Sequence, residues 1–408
     1  MMHCPIWARA CSSARTPGVP ALISLRDARL FQESLSANST LATFKDAYQT
    51  GKFRVVEDED KASAGLNSNR SLPMLQFPKY RIFEEVAKDA KIGEWRKPVT
   101  KWARLAKAVL KMYMVGLKNN WYIRKSAKKV TTKFGTTPEQ FAAELYKDMT
   151  FQEIEHRIKG LRPAPLRINR SEFQELHRQK EFWKIPAFFA LYVVFEEFLP
   201  LICYLLPSIV PWNCLTPGGF KKLSDLRVSS KSLLPFKSQD KLVPAYASPY
   251  SVPLDNVIGL LRSHRMISRW KAAVYRVSGN RTQLCELLTQ LSQNLTLDDW
   301  FLVSQVVNAD GIVAITDREL VNAVLERQLY FKGEDLNALA STEIGRRLLV
   351  WRLLIYWSFR FHGTTVTGGP KTFSETWGVN NVGIMNFPGS TQLLDFNTLK
   401  NVVDQCCT

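Results

Sequence analysis

Two adjacent carboxylates, Glu196 and Glu197, sit inside the most apolar stretch of this 408-residue chain. That stretch runs from Ile185 to Trp212, 28 residues with no other charge. Burial raises a carboxylate's pKa, and a neighbouring acid raises it further, so such a pair could hold one proton near neutral pH and trade it for a cation. Ion or proton exchange is the chemistry these two residues could do. Adjacent side chains on a helix diverge by about 100°, so only one of them would face a given partner. No nucleophile–base pair, glycine-rich phosphate loop or metal motif accompanies them. The seven cysteines (4, 11, 203, 214, 285, 406 and 407) form no Cys-x-x-Cys pair, and the five histidines are scattered. The sequence predicts no metal, no cofactor and no enzyme.

The element that would position the acids is a membrane span. A hydrocarbon core takes about 20 apolar residues, and residues 181–215 supply them. Fifteen Ile, Leu, Val or Phe residues favour insertion by about 7 kcal/mol. The two carboxylates cost about 3 kcal/mol each, and Pro186, Pro200 and Pro207 remove backbone hydrogen bonds and kink the segment. The terms nearly cancel, which argues that the acids either work or face protein.

The rest of the chain is strongly basic: 55 Lys and Arg against 37 Asp and Glu, a net charge of +18. A polyanionic partner is implied, nucleic acid or an anionic membrane surface. Between Trp95 and Pro138 there are twelve basic residues and no acid. With Trp102, Leu105, Val109, Met112 and Val115 near helical period, residues 79–180 read as a basic amphipathic region. Residues 1–26 carry Arg9, Arg15 and Arg26, several serines and no acid, the pattern of a mitochondrial transit peptide, placed at 1–40. Residues 41–78 are polar and read as a disordered tether. Residues 216–253, with five prolines, read as a linker. A second helical unit spans 254–362, and an irregular tail fills 363–408. Capping boxes open helices at Asn169-Arg-Ser-Glu172, Asn280-Arg-Thr-Gln283 and Thr316-Asp-Arg-Glu319, and a similar pattern occurs at Thr296-Leu-Asp-Asp299.

Two blocks resemble the mitochondrial leucine-zipper/EF-hand transmembrane (LETM) family in its short, ribosome-binding form. The first is Glu181-Phe-Trp-Lys-Ile-Pro186 followed by Glu196-Glu-Phe-Leu-Pro200 and Leu-Leu-Pro207. The second is Asp310-Gly-Ile-Val-Ala-Ile315, then Glu319-Leu-x-x-Ala323-x-x-x-Arg327-x-Leu329, closed by Ile344, Leu348 and Trp351. Gly311 lacks the oxygen ligands of an EF-hand loop, and no coiled coil follows. Counting from Pro200 makes Glu196 the family's acid, and counting from Pro186 makes it Glu197. The resemblance implies an all-α chain with one transmembrane helix and a 14-3-3-like helical domain in the matrix, anchored in the mitochondrial inner membrane.

Two functions follow from that resemblance. The chain would tether the large subunit of the mitochondrial ribosome to the membrane, through Arg262, Arg265, Arg269, Lys271, Arg276 and Arg281. Alternatively it would take part in potassium/proton or calcium/proton exchange at Glu196 and Glu197, with inner-membrane anionic lipid as a further partner. One span cannot enclose a pore, so exchange needs a homo-oligomer or a second protein. The positive-inside rule puts residues 95–138 in the matrix, whereas the family's topology puts them on the other side.

Overall fold

The computed structural model describes residues 39–57, 59–159, 165–194, 203, 206–229, 248–360 and 382. The transit-peptide region (apart from residues 39 and 40), Glu196, Glu197, Pro200 and most of the tail lie outside them.

The described chain is mostly helical, as expected. Its N-terminal part is not a tether. Helix α1 (Ser39–Gln49) and strand β1 (Phe53–Val56) bury Leu41, Phe44 and Phe53, and Leu66, Leu72 and Leu75 follow them inside. These apolar residues are spaced among Ser, Asn and Asp, which hid them in the average polarity of 41–78. Helix α2 (Lys79–Lys88) comes next. Then α3 runs unbroken from Lys97 to Phe134, 38 residues and about 57 Å long. Pro98 stands in its first turn, where no N–H is missed, and Gly135 ends it at φ 67°, its N–H donating to the Thr131 carbonyl at 2.8 Å. Met112, Gly116, Asn120, Ile123, Ala127 and Val130 form its buried stripe. Of the expected stripe, Met112 is buried and Val109 packs against the larger core, whereas Trp102 and Val115 are exposed.

Helices α4 (Pro138–Lys159) and α5 (Arg170–Arg178) follow, then a 3-10 turn (Gln179–Lys184) and α6 (Ile185–Val194). Asn169 and Glu172 form the expected capping box, the Asn169 N–H donating to Glu172 Oε2 at 3.0 Å. A short turn at Trp212–Cys214 leads to α7 (Pro217–Ser229), where a linker was expected; its Phe220 and Leu223 are buried. Helices α8 (Leu254–Ser263), α9 (Arg269–Ser278) and α10 (Arg281–Asn308) come next. Asn280 caps α10 as expected. Thr296 does not start a helix; it lies within α10 and donates to the Ser292 carbonyl at 2.9 Å. Strand β2 (Val313–Thr316), α11 (Asp317–Glu326), α12 (Leu336–Ala340) and α13 (Glu343–Arg360) complete the described elements. The strands pair in parallel, Phe53 opposite Val313 and Val56 opposite Thr316.

Two apolar cores share α10. The larger draws on residues from Leu41 to Trp357, and the smaller groups α8, α9 and the first half of α10 around Val257, Leu261 and Leu288. The expected boundary between a membrane half and a C-terminal domain is therefore absent from the described residues.

An ionic network fastens the larger core. Arg170 donates to Asp298, to Glu319 and to the Leu66 carbonyl, each at 2.8 Å. Arg327 reaches Asp298 at 2.9 Å and Asp299 at 2.6 Å. Burial alone would raise the Asp298 carboxyl, but Arg170 and Arg327 outweigh it and hold the pKa down to about 2. Charges this deep are tolerated because each finds an opposite charge and hydrogen bonds.

Candidate membrane-docking surface

The first four turns of α3 have no buried residue; burial begins at Met112. Helix α2 covers this end, through Phe83 against Trp102 (ring centres 5.8 Å apart) and the buried Val86. The two helices form an arm. Acids on the arm are already paired: Glu84 with Lys88, Glu85 with Arg81, Glu94 with Lys97, and Asp89 with Arg104. Lys107 and Lys111 remain exposed and Lys101 half-exposed on α3, with Lys118, Lys125, Lys128 and Lys129 farther along. Among these cations stand apolar side chains in water: Tyr80, Trp95 (75% exposed), Val99, Trp102 (62%), Met114 and Val115.

Helix α6 continues this surface. Its Phe188 packs edge-on against Tyr113 of α3 at 5.4 Å, and Arg124 lies 4.0 Å over the Phe182 ring. Trp183, Phe189, Val193 and Val194 are exposed. A folded protein leaves single apolar residues in water routinely, but contiguous elements carrying this many mark an interaction surface.

The expected transmembrane segment 181–215 does not have that form in the described residues. No helix there is long and apolar enough to cross a membrane. The described part of α6 spans ten residues, Ile185–Val194, about 15 Å, half of a hydrocarbon core. Both flanks of the segment belong to the protein interior: Glu181 is buried against Lys184 at 2.6 Å, and Val210, Trp212, Asn213 and Cys214 are buried in the larger core. Pro186 is the second residue of α6, where proline is accommodated without a kink, and Pro207 lies in the turn closed by Ile209 N–H to the Leu206 carbonyl at 3.2 Å. Among the described residues of this segment the apolar side chains are divided between core and surface; residues 195–202, 204 and 205 lie outside them.

A family model described as the pentamidine resistance factor domain matches residues 66–307. The mitochondrial pentamidine resistance factor of Saccharomyces cerevisiae is 37% identical over 378 residues, which covers 83% of this chain and 88% of the yeast protein. The chain belongs to the pentamidine resistance factor family. No solved structure matches it.

Membership of the pentamidine resistance factor family overturns the LETM resemblance, and with it the implied 14-3-3-like domain. The motifs that suggested LETM have another use here. Glu319 and Arg327 hold the buried ionic network, and Leu348 and Trp351 are core residues of α13. Short runs of Glu, Leu and Pro at helical spacing recur wherever amphipathic helices pack, so they do not discriminate between families.

In this member of the pentamidine resistance factor family, the six basic residues expected to meet the ribosome differ in exposure and in partners. Arg269 and Lys271 are exposed. Arg276 pairs with Asp255 at 3.0 Å, and Arg281 donates to the Tyr250 and Val252 carbonyls, tying down the loop before α8. Arg262 is half-buried, and Arg265 turns inward over the Trp212 ring at 5.9 Å. A 270 Å³ cleft is lined by Glu139, His177, Lys180, Met266, Gln290 and Asn294. Burial, then Lys180 and Arg178, push the His177 pKa well below its usual value. Among the described residues no cluster of His, Cys, Asp or Glu could hold a metal.

Proposed function

We propose that this chain is a non-enzymatic mitochondrial protein that docks on the anionic face of the inner membrane through the α2–α3 arm and α6. A mitochondrial location is supported by the yeast relative's name and by the acid-free, Arg-rich residues 1–26. The observation that carries the docking is the basic, acid-free α3 interleaved with exposed Trp95, Val99 and Trp102. Lys and Arg are drawn to anionic headgroups, and Trp settles at the boundary between headgroups and acyl chains. Nucleic acid would also attract the charge. It gives no purpose to the aliphatic Val99, Val115, Val193 and Val194, which stack on no base. Ribosome tethering keeps only the net charge of +18 and the helical build behind it once the family resemblance is gone, and the exchange reading rests on Glu196 and Glu197, outside the described residues.

The test is flotation of the purified full chain with vesicles. Binding to phosphatidylcholine vesicles that contain phosphatidylglycerol or cardiolipin, and not to phosphatidylcholine alone, is the expected result. Indifference to all vesicles, with salt-sensitive co-sedimentation with ribosomes, would replace this reading by the tether.

A further inference from the structure

Four cations and two carboxylates meet around one indole. Trp212 is almost fully buried, and the guanidinium carbons of Arg178, Arg227 and Arg265 lie 4.8, 5.3 and 5.9 Å from its ring centre. The fourth cation is Lys184, 2.6 Å from Glu181, whose Oε2 also accepts the Trp212 backbone N–H at 3.2 Å. The second carboxylate, Glu326, takes Arg178 at 2.6 Å and Arg227 at a longer 3.6 Å. Burial would raise the Glu326 pKa, but Arg227 and Arg178 outweigh it and hold the group well below the ordinary carboxylate range, so it is ionised. The cluster therefore carries two positive charges more than negative ones.

Packing does not account for this excess. Arg227 is 5% exposed, yet its Nε and Nη1 have no hydrogen-bond partner among the described residues. Arg265 holds φ at 59°, in the left-handed region where a side chain is strained. Strain of this kind persists where the surroundings impose it, often at ligand sites. It carries a half-buried guanidinium toward Arg227 and Arg178, and burial, then Arg227, bring the Arg265 pKa down to about 10. Like charges gathered out of water repel strongly. The species that relieves them must present several acceptor oxygens and up to two negative charges. A phosphate group does both, and arginine forks match its geometry.

We propose that Arg178, Arg227 and Arg265 around Trp212 form a binding site for a phosphate group, entered past Arg265. The group can come from free phosphate or from a lipid headgroup. The turn that carries Glu181 and Lys184 runs directly into α6 with its exposed Phe189, Val193 and Val194, so a headgroup is within the site's reach if α6 rests on a membrane. The lipid source rests on the docking reading; the site itself does not.

The experiment is thermal melting of the full chain in inorganic phosphate, in chloride at matched ionic strength, and in soluble dihexanoyl phosphatidic acid. Phosphate is expected to raise the melting temperature where chloride does not, because a ligand of the native state stabilises it by mass action. Arg265→Gly removes a strained side chain and one of the like charges. It should melt above the parent without phosphate and need about tenfold more phosphate for the same rise. Arg269→Gln, on the exposed start of α9, should respond as the parent does. A lipid effect at concentrations well below those of phosphate assigns the headgroup, and equal potency assigns free phosphate. The site is refuted if phosphate acts no differently from chloride, if Arg265→Gly keeps the parent's response, or if Arg265→Gly melts below the parent.

Discussion

Replacing Lys101, Arg104, Lys107 and Lys111 together by Gln tests the arm at its most exposed end. Each cation held at an anionic leaflet contributes about 1 kcal/mol. Arg104 contributes less, because it already pairs with Asp89 at 3.3 Å on the surface. The four changes should therefore cost about 3 kcal/mol, roughly a 150-fold fall in partitioning. Folding should be spared, since none of the four is buried and surface changes stay within about 0.5 kcal/mol. Trp102→Ala separates the apolar contribution. If half of its exposed ring leaves water at the membrane, the loss is about 2 kcal/mol, roughly 30-fold. The assay is vesicle flotation with phosphatidylcholine containing a quarter phosphatidylglycerol, at ionic strengths of about 0.05 and 0.3 M, which shorten the screening length more than twofold. Parent binding should weaken with salt, and the quadruple variant should bind weakly at both. Binding of the quadruple variant within about threefold of the parent, or parent binding indifferent to salt, would refute the electrostatic reasoning.

Other expectations concern the fold. Phe44→Ala, which empties a fully buried site in α1, should lower stability by about 3–5 kcal/mol in denaturant titration; a change under 1 kcal/mol would mean that residues 39–75 are the loose segment their polarity suggests. Gly116→Ala would drive a methyl into Cys214 Sγ, so it should lower the melting temperature by the equivalent of about 1–3 kcal/mol, and Cys214→Ala should restore most of it. Asp298, held at about 2 against an ordinary 3.8, contributes about 2 kcal/mol that is complete above the unfolded pKa and lost as pH falls from about 4 to 2. The wild type should show that loss in an acid titration. Asp298→Asn should be less stable at neutral pH, by about 3–5 kcal/mol, because Arg170 and Arg327 lose their shared partner, and its stability should depend less on pH below about 4.

The helical class, the caps at Asn169, Asn280 and Thr316, and the helical, basic character of the stretch after Trp95 were legible because they rest on local chemistry: a side chain meeting a backbone group three residues on, or a charge pattern within one element. The β1–β2 pairing was not, because four-residue strands so far apart leave no local signature. The burial of Leu41, Phe44 and Leu66 escaped for the same reason: their partners, such as Trp357 against Phe44, lie at the other end of the chain. Hydropathy over the run 185–212 averages over residues that, where described, have different destinations. Phe188 and Trp212 go to the core, Phe189 and Val193 to the surface. Nor could the sequence show that Arg265 points inward, since its direction follows from a left-handed backbone at a residue that rarely takes one.

The ties between the first and last thirds of the chain decide when it can fold. The Ser68 N–H donates to Glu319 Oε1 at 2.5 Å across 251 residues, and β1 has no partner strand until β2 exists. A chain made from its N-terminus, or threaded through a translocation channel in that order, keeps Leu41, Phe44 and Phe53 unsheltered until nearly all of it has emerged. Contacts so distant in sequence make folding slow and leave apolar surface exposed meanwhile. The N-terminal segment should then be a main client of holding chaperones during biogenesis, and truncation anywhere before α13 should leave a chain that they retain.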